Sequence, residues 1–312
     1  MRADSKRLLP SAVKFALWVV FPALIFTPAS AQNPDGSAGT TFHSQVTEIR
    51  VTFSTTDQHN RIVANVQPTD FAIVDQDRVI RDFRSFTRSE YTRLNVAVLV
   101  DASDSIKPRF RQELSDVMQL LGETSGVPED SFSVVSFRGL KPTLLCQGNC
   151  RALDLGAQFP SVNGGLTPLY DSIVFASRLL GQANNVHTRK ILVLFTDGAD
   201  TISVGSLHDA LDAALDNDVA IYSVDVSPAP HLRSGSGVLR GFAASSGGRY
   251  FTAEAGTGKL VDAILEDFRA AYTVAYKLPT PAEGFHQLRI LPTHDSGLQF
   301  HCRLGYYYSN KF

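Results

Sequence analysis

Four apolar runs, each followed by a helical segment, constrain this chain more than any other feature. They are LNVAVLV (94–100), SFSVVSF (131–137), KILVLF (190–195) and VAIYSVDV (219–226). Between and after them lie segments with apolar residues at helical spacing: 108–124, 169–182, 206–218, 238–247 and 259–272. A short GRYF strand is expected between the last two. Near-continuous apolar strands are buried on both faces, and alternation with helices brings successive strands parallel. The expected fold is therefore α/β, a doubly wound and mostly parallel sheet with helices on both sides. Ser206 is placed to cap the helix that follows it.

The flanks have a different period. Residues 46–66 read as two strands around a turn at Asp57 to Asn60, and 69–88 continue the β pattern through a DQD turn. After Tyr272, TVAYKLP, FHQLRILPT and LQFHCRLGYYY return to β character. The expectation is a smaller β domain assembled from both ends of the chain: an N-terminal segment 45–91 packing with a C-terminal one, 276–312, around an α/β domain at 92–275.

The first residues point to export. Arg2, Lys6, Arg7 and Lys14 precede the apolar run Phe15 to Phe26, and TPASAQ places Ala29 and Ala31 at small-residue cleavage positions. The run is shorter than the ~20 apolar residues of a spanning helix, and Pro22 interrupts it. The reading is a signal peptide at 1–31, a polar leader at 32–44, and a periplasmic or extracellular product with no membrane span after cleavage. Removing four bases and one acid from totals of 29 and 31 leaves a net charge of −5, with no basic excess to suggest nucleic acid. Disulfides persist in such a compartment. CQGNC, Cys146 to Cys150, could close a small bridge, while Cys302 could be inert or pair with either. The pattern fixes no oligomeric state.

Three short segments carry the candidate chemistry. DASDS places Asp101, Ser103 and Ser105 at the end of an apolar strand. GGLTPLYDS centres on Thr167. LFTDGAD places Asp197 directly after another strand. Ligands of doubly wound sheets bind outside the carboxyl ends of the strands, where the strand order reverses, so these segments can converge on one crevice. They offer only hydroxyl and carboxylate oxygens, the set of a hard cation such as Mg2+, with Mn2+ or Ca2+ as alternatives. Helix capping would account for one of Ser103, Asp104 and Ser105, but not for the distant Thr167 and Asp197. Asp104 reads best as a cap and Asp200 as a loop residue.

These residues resemble the von Willebrand factor A family, whose metal-ion-dependent adhesion site combines a DxSxS strand end, a loop threonine and an aspartate after a later strand. The resemblance covers about 92–275 and implies metal-coordinating roles for Asp101, Ser103, Ser105, Thr167 and Asp197, the two aspartates through water in some states. The flanks resemble a group of exported bacterial VWFA-related proteins that end in Gly-Tyr-Tyr, here Gly305-Tyr306-Tyr307. The implied function is a non-enzymatic adhesion or scaffold module whose Mg2+ recruits an acidic residue of a protein partner. One alternative is an envelope-assembly protein working through its β domain. Another is a Mg2+-assisted hydrolase with Asp104 or Asp200 as base.

Overall fold

The computed structural model describes residues 46–88, 92–123, 131–148, 150–152, 154–158, 165–182, 188–227, 234–253, 257–279, 282–294 and 297–309. The expected signal peptide and leader lie outside them. No helix among the described residues is long and apolar enough to cross a membrane.

The central sheet has six strands. In chain order they are β5 (Arg93–Asp101), β6 (Phe132–Arg138), β7 (Lys141–Gln147), β8 (Thr188–Thr196), β9 (Val219–Asp225) and β10 (Tyr250–Thr252). Their spatial order is β10-β9-β8-β5-β6-β7. All neighbours pair in parallel except β6 and β7. The chain thus builds outward from β5 to one edge, crosses back, and builds outward from β8 to the other. The reversal point lies between β5 and β8.

Alternate residues of β5 feed two cores. Val96, Val98 and Val100 pack with helices α1 (Phe110–Glu123) and α6 (Thr257–Ala270). Ala97 and Leu99 pack with α3 (Leu169–Gly181), α4 (Leu207–Asp216) and α5 (Ser236–Ser246). The side-chain period of two in a strand makes this two-faced burial possible. Ser206 caps α4 through the Asp209 amide, 3.2 Å away, and Asp209 returns the bond. A four-residue helix, α2 (Leu155–Gln158), completes the set.

β7 was not expected from the sequence. It is an edge strand with an exposed, irregular burial pattern, and Pro142 sits within it. Such a strand has no alternation to read, and proline is tolerated because one side of an edge needs no donor. Cys146 on β7 is bonded to Cys150, with Cα atoms 5.6 Å apart. Cys302 is a free thiol, and burial pushes its pKa up to about 11.

Two four-stranded antiparallel sheets flank this domain. One has the order β13-β1-β11-β4, from β1 (Val46–Thr56), β4 (Ser85–Arg88), β11 (Tyr272–Pro279) and β13 (Gln299–Cys302). The other has the order β14-β12-β2-β3, from β2 (Phe71–Asp75), β3 (Arg78–Ile80), β12 (Gly284–Pro292) and β14 (Gly305–Tyr308). Their inner faces share one core, with Val51, Phe53, Phe71, Ile73, Val274 and Leu288 among its members. β11 follows α6 directly, and its first residue, Tyr272, lies in this core. The second strand expected near 61–66 does not form beyond one bridge, Thr56 to Ile62. There the Tyr272 hydroxyl donates to the Ala64 carbonyl and accepts from the Val66 amide, replacing ladder bonds.

The last eleven-residue β run splits between the two sheets. The Leu304 amide donates to the Ser245 carbonyl at the end of α5, and β14 then joins β12. The Gly-Tyr-Tyr sequence has a specific place here. A Cβ on Gly305 would lie 2.2 Å from the His286 carbonyl oxygen, so only glycine fits. Tyr306 turns inward and donates to buried Asp75 at 2.8 Å, beside Tyr276 at 2.7 Å and the His286 Nδ1 at 3.0 Å. Burial and the neighbouring Asp75 push both phenols far above their usual range, so they stay protonated donors. Tyr307 points the other way and reaches Asp212 on α4 at 3.2 Å.

Candidate metal centre

β5 ends at Asp101, and β8 delivers Thr196 and Asp197 beside it at the reversal point. Asp101 is fully buried. One carboxylate oxygen accepts from the Ser103 amide at 2.9 Å, and the other from the Thr196 hydroxyl at 2.6 Å. The Thr196 hydroxyl also accepts from the Gly198 amide at 3.2 Å. Burial raises the Asp101 pKa to about 6; the Thr196 and Ser103 hydrogen bonds hold it down against that, and the charge of Asp197 adds to the rise. The electrostatic influence of Asp197 places the two carboxylates in one field.

Ser103 and Ser105 turn their hydroxyls toward each other, 3.1 Å apart. Thr167 enters from the loop before α3 and is buried. Its amide donates to the Thr201 hydroxyl at 2.7 Å, and the Thr201 amide donates back to its carbonyl at 2.9 Å. This double link ties the Thr167 loop to the loop that carries Asp197. Gly198 has φ +81°, and a Cβ there would lie 2.6 Å from the Gly235 carbonyl oxygen, so the turn after Asp197 requires glycine. Asp197 spends one oxygen on the Ala199 amide, 3.0 Å away.

Asp104 and Asp200 stand apart from this group. Asp104 is exposed and ion-paired with Lys107. Asp200 accepts from the Leu169 and Tyr170 amides at 2.9 and 3.3 Å and so caps α3 from a separate segment. Asp171 on α3 reciprocates by holding the Val204 and Gly205 amides, both at 2.9 Å. The rim of the site is thereby locked to the start of α3.

Two supporting residues were not singled out from the sequence. Thr196 stands in the quoted LFTDGAD, where a hydroxyl directly before the aspartate was the available signal. Glu113 on α1 is fully buried; one oxygen accepts from the Asp101 amide at 3.1 Å, and the other has no hydrogen-bond partner. Burial, then the charge of Asp101, raises its pKa well above the usual range. No sequence pattern relates position 113 to the mouth of β5.

A DxSxS turn lies at the carboxyl end of the central strand, Asp197 follows the neighbouring strand, and Thr167 stands in the loop before α3, on a six-stranded sheet with one antiparallel edge. This is the doubly wound, mostly parallel arrangement that the resemblance to the von Willebrand factor A family implies. No protein-family model matches the chain, and no curated protein matches it in sequence. Solved structures similar to it include an aerotolerance-related membrane protein from Bacteroides fragilis, at 14% identity over 56% of this chain and 98% of that one, with a TM-score of 0.46. The manganese-loaded TRAP protein of Plasmodium vivax is 17% identical over 75% of this chain and 97% of that one, with a TM-score of 0.41. A mussel byssus matrix protein with a zinc-occupied MIDAS motif is 18% identical over 62% of this chain, which spans half of that protein, with a TM-score of 0.44. These likenesses are distant, and the reading of the site rests on the strand order and the placement of the three segments.

The donor set suits a hard cation. The Thr167 hydroxyl takes no hydrogen bond among the described residues, and Asp197 has one uncommitted oxygen. The Ser103 and Ser105 hydroxyls face each other, and the Ser103 hydroxyl also lies against the Asp101 carboxylate. No cluster of three or more His, Cys, Asp or Glu side chains suited to a metal occurs among the described residues. Two carboxylates would match the charge of a dication, and with three neutral hydroxyls they offer five oxygen donors, one short of an octahedral set.

Proposed function

We propose that this chain is an exported protein-binding module. Its von Willebrand factor A domain holds Mg2+ through Asp101, Ser103, Ser105, Thr167 and Asp197 and recruits a carboxylate of a partner protein. The observation that carries the reading is the arrangement at the β5/β8 reversal point: a buried Asp101 supported by Thr196, two facing serine hydroxyls, and Thr167 and Asp197 with spare oxygens. Bound Mg2+ would supply the largest positive charge at that edge and a coordination position for an outside oxygen. The protein's own part is to hold the oxygens in place through the Thr167–Thr201 link and the Asp200 cap on α3.

A hydrolase reading needs a base, and the two carboxylates nearest in sequence are engaged elsewhere, Asp104 with Lys107 and Asp200 with the α3 amides. That favours binding over turnover. The test is calorimetric titration of Mg2+, then Mn2+, into the purified protein, with D101A as control, followed by selection from an acidic-peptide library in Mg2+ and in EDTA. Saturable metal binding and Mg2+-dependent peptide capture, both lost in D101A, are expected. Equal capture in EDTA would overturn the reading.

A further inference from the structure

A cleft of about 670 Å³ lies at the opposite end of the sheet from the candidate metal centre, between the outer face of the β1/β11/β4 sheet and the amino ends of β5 and β8. Small-molecule sites fall typically between ~300 and ~1,000 Å³.

Its floor is built in register. Thr52 lies opposite Thr273, and Thr273 opposite Thr87, so three threonines cross the sheet in a row. The first two hydroxyls are 3.0 Å apart. In the next row Arg50 lies opposite Ala275, and Ala275 opposite Ser85. The two small side chains leave the space that Arg50 overhangs. The same strands turn Val51, Phe53, Val274 and Tyr276 into the sandwich core. The polar face would be ordinary solvated surface if nothing stood over it. Instead Thr188 and Lys190 of β8 and the Ser246–Gly247 end of α5 wall it in.

The charge is uneven. Among the described residues the lining carries Arg50, Arg84, Arg189, Lys190 and Arg303 against Glu48 and Asp218, an excess of three positive charges in a chain whose formal net charge is −2. Arg50 and Arg84 both pair with Glu48, at 2.9 and 3.5 Å. Arg303 spans the cleft wall, donating to Asp218 at 2.6 Å and to the Arg50 carbonyl at 2.9 Å, while its buried Nε has no hydrogen-bond partner. Lys190 reaches only a carbonyl, that of Asn217, at 3.1 Å. Behind Arg189, Arg249 pairs with buried Asp267 and leaves the excess unchanged. Among the described residues no aromatic ring lines the cleft, and charged and hydroxyl side chains make up most of the lining.

We propose that this cleft binds a small multivalent oxyanion, a di- or tricarboxylate or an organic phosphate. Guanidinium forks from Arg50 and Arg84 would meet its charged groups, and the threonine row would hydrogen-bond its remaining oxygens. Planar guanidinium matches both carboxylate and phosphate in two-point geometry. This site is independent of the metal reading, because it lies at the other end of the strands.

The test is calorimetry on the full chain at low ionic strength, with divalent cations removed on a chelating resin, with citrate as the carboxylate probe and pyrophosphate as the phosphate probe. One-to-one binding of either is expected, weakened at least tenfold in R84S and unchanged in D101A. Citrate alone would assign the carboxylate source, pyrophosphate alone the phosphate source. S85L fills the floor at an exposed position without changing charge and should abolish binding; thermal midpoints of both cleft variants confirm folding. No binding of either probe at millimolar concentration, or binding that survives both R84S and S85L, overturns the proposal.

Discussion

Thr196→Val tests the reasoning behind the metal centre most directly. The change is nearly isosteric and leaves all five proposed ligands in place. It removes the hydroxyl that donates to Asp101 at 2.6 Å and accepts from the Gly198 amide. A hydrogen bond to a charged group contributes about 1.5–3 kcal/mol. Since one pH unit corresponds to about 1.4 kcal/mol, losing it lifts the Asp101 carboxyl by roughly one to two pH units. The starting value is about 6, so the variant's carboxyl titrates near ~7 to ~8. A cation must then displace a proton at pH 7, which weakens Mg2+ roughly two- to tenfold, and at pH 8.5 this penalty nearly vanishes. Lost orientation of the carboxylate adds a pH-independent factor, typically about 10- to 100-fold for an outer-shell partner. The assay is Mg2+ calorimetry at pH 7.0 and 8.5 on wild type, T196V and T196S. Wild-type affinity should be nearly level between the two pH values, T196S should follow it, and T196V should be weaker throughout with the larger deficit at pH 7.0. Affinity equal to wild type at both pH values would refute the role given to Thr196.

Two further predictions concern the β sandwich. Tyr306→Phe leaves Asp75 with Tyr276 and His286 but removes one hydrogen bond to a buried carboxylate; urea unfolding should show a loss of about 1.5–3 kcal/mol with Mg2+ affinity unchanged, and a loss below ~0.5 kcal/mol would contradict the assignment. His301 is bonded to Thr56 at 2.9 Å, and burial, then the charge of Arg249, lowers its pKa below 6.5. Above pH 6.5 both folded and unfolded states hold it neutral; as pH falls the unfolded chain takes the proton first, so stability drops until the folded pKa is passed. His301→Gln should therefore flatten part of the acid limb of a thermal midpoint-versus-pH curve, and an unchanged limb would count against this.

The parts of the fold that repeat a simple period were legible. Val96, Val98 and Val100 serve one core while Ala97 and Leu99 serve the other, and a run apolar at every position announces that arrangement. β7 was not legible because an edge strand is paired on one side only, and its sequence, KPTLLCQ, follows no burial period. The 61–66 segment misled for the opposite reason. Its apolar residues are real, but Tyr272, more than two hundred positions away, takes the hydrogen bonds that a strand partner would have taken. The Gly-Tyr-Tyr end could be recognised as a pattern, yet its cause lies in the His286 carbonyl and in Asp75, neither of which a local reading connects to it. The site divides similarly. Its oxygen donors sit in quotable segments, whereas Glu113 and the Thr201 link to Thr167 are products of packing.

The direction of the strands accounts for where the two candidate sites lie. Parallel strands put all their carboxyl ends on one edge, and there the chain places Asp101 and Asp197 side by side because β5 and β8 are neighbours. The amino ends collect on the other edge, where Thr188, Lys190 and the α4–β9 turn face the polar side of the sandwich. A small β domain built from both chain ends must have strands near the entry and exit of the α/β domain. β11 meets that condition by following α6 directly. Arg303 then fastens β1 to the α4–β9 turn through the Arg50 carbonyl and Asp218, and Tyr307 fastens β14 to α4. A ligand drawing Arg50 and Arg303 together in the cleft would act on the start of β9, which pairs with β8, the strand that leads to Asp197. If oxyanion binding and Mg2+ binding are coupled, each must shift the affinity of the other by the same factor. Measuring Mg2+ affinity with and without a saturating, weakly chelating oxyanion such as succinate therefore separates a shared strand from two independent ends.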